Sequence, residues 1–136
     1  MNGKLNSKGI KEITAMAADF LPLVQNKRVK IFSSTETRAS DSAEIIANKL
    51  GVSFEKKEIL SPNGDHSEDI FELIKSYSTV DILILMTHLE HVDFLPYDFV
   101  RKILLFKSDY DFNNPVKEGG YRYISCTKKT ITTKNP

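Results

Sequence analysis

Residues 82–86 (Ile82-Leu83-Ile84-Leu85-Met86) form an unbroken apolar run between Asp81 and the polar pair Thr87-His88. The run has no helical stripe and is far too short to span a membrane. It predicts a strand buried on both faces, the usual interior position in a parallel sheet. Its polar carboxyl end then falls where open α/β sheets place their ligands.

The rest of the chain alternates between helical and extended patterns. Ile10, Ile13, Met16, Ala17 and Phe20 recur at helical spacing behind Asn6 or Ser7 as a cap, with Pro22 at the end. Residues 28–32 (Arg-Val-Lys-Ile-Phe) alternate like a short strand. Ser33-Ser34-Thr35-Glu36 follows as a capping-box pattern. The stripe Ala39, Ala43, Ile46, Ala47 and Leu50 then predicts a second helix, closed by Gly51 as C-cap.

A further short strand is expected within residues 52–60, then a turn at Ser61-Pro62-Asn63-Gly64. A third helix, capped by Asp65, buries Ile70, Phe71, Leu73, Ile74 and Tyr77. Beyond His88 a helical pattern over residues 91–106 is broken once by Pro96. Residues 110–120 read as a loop. Residues 121–125 and 130–133 read as a hairpin with Lys128-Lys129 near its turn. This alternation predicts one α/β domain over residues 1–136: three layers, α/β/α, around a mainly parallel sheet, with a C-terminal antiparallel hairpin adding edge strands.

Composition changes this picture little. The chain has 136 residues, enough for a real core, and its net charge is +1, which gives no reason to expect nucleic acid or an anionic membrane as partner. Its single cysteine, Cys126, excludes an intramolecular disulfide and suits a reducing, cytoplasmic setting. Residues 1–9 hold no apolar segment, so no signal peptide is expected, and the last residues, 132–136, read as a polar tail.

Candidate chemistry gathers at two strand ends, Ser33–Arg38 and Thr87-His88. The start of the second helix favours an anion, and Arg38 in its first turns offers a forked donor suited to phosphate. His88 can hold phosphate when protonated, or transfer a proton. Each of these residues also has an ordinary structural role: Ser and Thr before a helix commonly serve as caps, and Arg38 can be a solvated surface residue. His88 and His91 lack a third ligand at a recognisable spacing, so no metal is expected. No phosphate-loop, dinucleotide-binding or nucleophile-elbow motif occurs, and no cofactor is implied.

Taken together, these residues resemble the histidine phosphatase (phosphoglycerate-mutase-like) superfamily, in particular its short bacterial phosphohistidine phosphatases. There a strand runs into Ser-Ser-Pro-Leu-x-Arg-Ala-x-Gln-Thr-Ala-Glu-Ile-Ile-Ala. Here residues 33–47 match at both serines, at Arg38-Ala39 and at Ala43-Glu44-Ile45-Ile46-Ala47, and depart at Thr35-Glu36 and Asp41. Residues 5–9 resemble the family's Leu-Thr-x-x-Gly helix start, residues 82–88 its apolar strand ending in Thr-His or Ser-His, and residues 120–125 its late Gly-rich strand. The resemblance implies a phosphoryl-transfer site with Arg38 as the family's second arginine and His88 as its second histidine, both on the phosphate oxygens with Ser34. It implies a phosphate-bearing small molecule or a phosphoprotein as ligand. A homo-oligomer is left open.

The family's nucleophile lies in an Arg-His-Gly motif at the end of a first strand, ahead of the Leu-Thr-x-x-Gly start. No Arg-His-Gly occurs in these 136 residues. The chain is therefore expected to be catalytically impaired, either as an amino-terminally shortened member or as a natural degenerate one. Glu90, Asp65 and His66 are the candidates for a leaving-group acid, with no choice among them. The competing readings are a non-catalytic module for a phospholigand or protein partner on the same scaffold, and an unrelated α/β regulatory domain.

Overall fold

A computed structural model describes residues 5–62, 66–110 and 112–136, and of Glu90 the backbone alone. Contacts divide the chain into two compact units, Met1–His88 and Leu89–Pro136.

In the first unit, α1 (Ser7–Phe20) is capped by Asn6, whose side chain accepts from the Gly9 N–H at 2.8 Å. Ile13, Met16 and Ala17 are buried, whereas Ile10, expected in the same stripe, is 46% exposed and lies off the buried face. Pro22 ends the α-helix, as its missing N–H requires, but the chain continues as a 3-10 turn over Leu21–Val24. Three strands follow: β1 (Val29–Ser33), β2 (Phe54–Lys56) and β3 (Ile82–Met86). Between them lie α2 (Thr37–Leu50) and α3 (Ser67–Ser76). Helix α2 packs on the sheet and against α1, and buries Ala39, Ala43, Ile46 and Ala47 of the expected stripe, with Leu50 half-buried at its end. Gly51 closes it at φ +73°, a left-handed conformation that favours glycine.

The sheet is parallel and ordered β2-β1-β3, so β1 is its central strand. Ile31, Phe32 and Ser33 are fully buried, while every residue of β3 is only partly so. The apolar run was expected to be interior and instead forms an outer strand of this sheet. The reason is geometric. An unbroken apolar run reports on the covering of two faces, not on the pairing of two edges.

The strand order reverses at β1: β2 lies on one side and β3 on the other. The crevice at a topological switch point therefore opens at the carboxyl ends of β1 and β3. At the opposite ends, the Arg28 N–H donates to Asp81 at 2.8 Å. The Lys30–Glu55 pair, at 3.0 Å, joins β1 to β2.

In the second unit, α4 (Leu89–Phe99) runs through Pro96 without breaking. The irregularity falls later, in a π-helical turn at Val100–Leu104 that ends on Leu105 at φ +58°. Proline at 96 leaves the Val92 carbonyl without its helical donor. The Arg122 Nε supplies one, donating to Val92 O and Asp93 O at 3.1 Å each. The strands β4 (Tyr121–Ser125) and β5 (Thr130–Lys134) form the expected antiparallel hairpin, but as a two-stranded sheet of their own rather than as edges of the parallel one.

Arg122 organises this unit. Its guanidinium is 1% exposed, meets Asp93 at 2.6 Å, contacts Thr133, and stacks on Tyr97 and Tyr110 with centroid distances of 5.0 and 5.6 Å. Tyr110 donates to the other Asp93 oxygen at 2.7 Å.

Candidate functional site

The site is built where three parallel strands end. Chain direction alone brings Ser33-Ser34, Lys57-Glu58 and Thr87-His88 to one edge of the sheet. Backbone bonds then extend the ladder past the strands, from Ser34 N–H to Met86 O at 2.9 Å and from Lys57 N–H to Ser33 O at 2.7 Å.

Side chains complete the join. Ser34 is fully buried, and its Oγ lies 2.9 Å from Nε2 of the half-buried His88. The same Oγ accepts from the Glu36 N–H at 3.0 Å. Where the Ser34 hydroxyl donates to Nε2, the imidazole keeps its proton on Nδ1; where Nε2 carries the proton, Ser34 accepts it. In both cases Nε2 is engaged by Ser34.

On the other side of Ser34, the Thr35 hydroxyl donates to Glu58 Oε2 at 2.9 Å and lies 3.0 Å from Ser61 Oγ. Thr87 donates to the Leu60 carbonyl at 2.6 Å, fixing the peptide just before His88.

The start of α2 differs in detail from the expected capping box. Glu36 is itself the N-cap, with no side-chain capping bond, and the first helical bond runs from Ser40 N–H to Glu36 O. Ser34 bonds the N–H of the cap residue rather than that of the helix's third residue. Arg38 stands in the first turn of α2, exposed, four residues beyond Ser34.

Of the sequence-derived site residues, then, the structure joins Ser34 to His88 directly and places Arg38 at the start of the helix that follows Ser34. His66 is the N-cap residue of α3 and pairs with Asp69 at 3.7 Å. Asp65 and the Glu90 side chain lie outside the described residues, as do Asn63 and Gly64 of the expected turn.

Thr35, Glu58, Ser61 and Thr87 were not anticipated as a group. Thr35 is one of the departures from the motif quoted above, and Glu58 reads in sequence as part of a solvated charge run with Glu55, Lys56 and Lys57. Among the described residues, no cluster of three or more His, Cys, Asp or Glu is placed to hold a metal ion. Nor is any helix among them long and apolar enough to cross a membrane.

The protein histidine phosphatase SixA, solved with tungstate, matches 96% of this chain and 81% of its own at 17% identity, with a TM-score of 0.63. The chain has the fold of the histidine phosphatase superfamily. Two further likenesses agree. A mycobacterial glucosyl-3-phosphoglycerate phosphatase covers 98% of this chain and 86% of its own at 15% identity and TM-score 0.59. A phosphoglycerate mutase of Plasmodium falciparum covers 95% and 82% at 15% identity and TM-score 0.62. No protein-family model matches the chain, and no curated protein matches it in sequence. At these identities the histidine phosphatase likeness is one of fold. The resemblance read from Ser33–Ala47 and residues 82–88 is thus matched in architecture.

Proposed function

We propose that this chain is a histidine phosphatase-like domain that binds a phosphorylated ligand, either a phosphoprotein or a small phosphoester, and that these 136 residues turn it over poorly or not at all. The observation that carries the reading is the Ser34–His88 hydrogen bond, which lies at the switch-point crevice of the sheet. Support comes also from the fold, shared with two phosphatases and a phosphoglycerate mutase.

Each residue has a role that follows from its chemistry. The phosphate sits outside the carboxyl ends of β1 and β3. The first N–H groups of α2 precede the Ser40–Glu36 bond and point out of the helix start, toward an anion. Arg38 contributes a planar fork that matches two phosphate oxygens. Ser34 holds the ring of His88 and fixes its orientation at the strand ends, where the ligand sits. The three together offset the charge on a bound phosphoryl group.

Inorganic phosphate titrated into the full chain is expected to shift the NMR signals of Ser34, Arg38 and His88 together. Arg38→Ala should weaken that binding by tenfold or more, because a charge-assisted hydrogen bond contributes roughly 1.5–3 kcal/mol and about 1.4 kcal/mol is a factor of ten. Arg38 is exposed, so the variant should keep its far-UV circular dichroism. Equal phosphate affinity in the two proteins would overturn the assignment of Arg38. Failure to shift any signal at Ser34 or His88 would overturn the site.

A further inference from the structure

Beside the proposed phosphate site stands a carboxylate held in place. Glu58 opens the 3-10 turn that follows β2, and its Oε2 accepts the Thr35 hydroxyl at 2.9 Å. A threonine hydroxyl has one proton to give. With that proton committed to Glu58, the 3.0 Å contact between Thr35 and Ser61 runs from the Ser61 hydroxyl to the Thr35 oxygen. The result is a directed chain, Ser61 to Thr35 to Glu58, ending on an anion. Ser61 is 2% exposed, so the chain is anchored in the core.

Thr35 follows Ser34 directly, and consecutive Cα atoms are about 3.8 Å apart, so the Glu58 carboxylate lies within roughly 12 Å of the Ser34 hydroxyl. That distance is an upper bound, and the Thr35–Ser61 contact beside it is partly buried, where charges are screened less than in open solvent. Glu58 is itself exposed, and so is open to a ligand bound at this end of the sheet.

We propose that Glu58 sets the charge of the group the ligand carries beside its phosphoryl. The site takes phosphorylated ligands with a hydrogen-bond donor or cation there, such as an ammonium, and rejects those with a carboxylate. The inference rests on the phosphate-site reading above. It is a statement about selectivity, with no covalent step.

The test compares three probes on the full chain by calorimetric titration: inorganic phosphate, O-phosphoethanolamine and phosphoglycolate. The native protein should bind phosphoethanolamine about tenfold more tightly than phosphoglycolate. Glu58→Gln keeps an acceptor for Thr35 and removes the charge. It should reduce that ratio to about twofold, chiefly by tightening phosphoglycolate. Thr35→Val, which releases the carboxylate from its anchor, should give an intermediate ratio and serves as the second variant if the first folds poorly. A ratio unchanged by both substitutions, with inorganic phosphate still bound, overturns the role of Glu58 alone. Absence of inorganic phosphate binding to the native protein overturns the phosphate site, and this inference with it.

Discussion

Arg122→Ala is expected to cost about 3–5 kcal/mol of stability, the range for breaking a buried ion pair by removing one partner. The guanidinium is 1% exposed, and Asp93, at 17%, would be left with its main counter-charge gone. More is lost than the pair. The Val92 carbonyl, orphaned by Pro96, loses its donor, and Tyr97 and Tyr110 lose the cation between them. The unit concerned is Leu89–Pro136, a length at which a hydrophobic core alone rarely gives more than a few kcal/mol. Arg122→Lys should recover little, because an ammonium cannot reproduce the planar fork that reaches Val92, Asp93 and Tyr97 together. Chemical denaturation followed at the tyrosines of this unit checks the claim. A loss under about 1 kcal/mol would show that the cluster is spectator to the fold.

Acid gives an independent readout of the same cluster. Burial acts to raise the pKa of Asp93. Hydrogen bonds from Tyr110, Arg122 and the Val116 N–H, together with the guanidinium charge, outweigh it and hold the carboxyl below its ordinary 3.8. The sign follows from linkage. A depressed carboxyl contributes stability that is fully present above the unfolded pKa and is lost as pH falls through the folded one. Stability should therefore decline as the protein is acidified below about pH 4, and Asp93→Asn should make that decline shallower. Part of the slope should survive, since Glu55 and Asp81 are also lowered, by Lys30 and by Arg28 respectively. An identical acid slope in both proteins would remove Asp93 from the account.

Much of the first unit could be read directly, because its elements are local. The stripe of α2, the Gly51 cap, the Asn6 cap and the strand before Ser33 depend on neighbours in sequence, and each appears as expected. What could not be read depends on pairing at a distance. The run Ile82–Met86 looked like the centre of the sheet, yet the centre is Val29–Ser33, whose alternation is modest and whose ends carry Arg28 and Ser34. Central position is decided by which strands accept partners on both edges, and that leaves no composition signal. The Asp93–Arg122 cluster was missed for a related reason: a lone Asp and a lone Arg, 29 positions apart, carry no periodicity. Ser34 and His88 were named from strand ends, and the 54-residue separation between them is closed by the parallel pairing of β1 with β3. Glu58 escaped notice because a glutamate after two lysines looks solvated until its Thr35 partner is seen.

Phosphatase turnover by this chain is expected to fall on the order of a million-fold short of an ordinary enzyme's, the scale of loss when a covalent nucleophile is removed and binding groups remain. Covalent catalysis divides one hard step into two easier ones, and it needs an activated nucleophile facing the phosphorus. The chain's histidines are His66, His88 and His91, and none stands in an Arg-His-Gly setting. His66 pairs with Asp69 at the start of α3. His88 is joined to the strand-end site, and its Nε2 is engaged by the buried Ser34 hydroxyl. In-line attack through Nε2 would require breaking that bond, and attack through Nδ1 would leave Ser34 holding the far side of the ring. On the proposed reading, His88 therefore holds a phosphoryl group rather than accepting one. Hydrolysis of a phosphohistidine peptide or an aryl phosphate should stay near the uncatalysed rate, and His88→Ala should leave that rate unchanged while weakening phosphate binding. Turnover at an ordinary enzymatic rate that disappears in His88→Ala would show that His88 is a nucleophile after all. Trapping a phosphorylated His88 in acid-free mass spectrometry would identify the atom that the Ser34 contact fails to block.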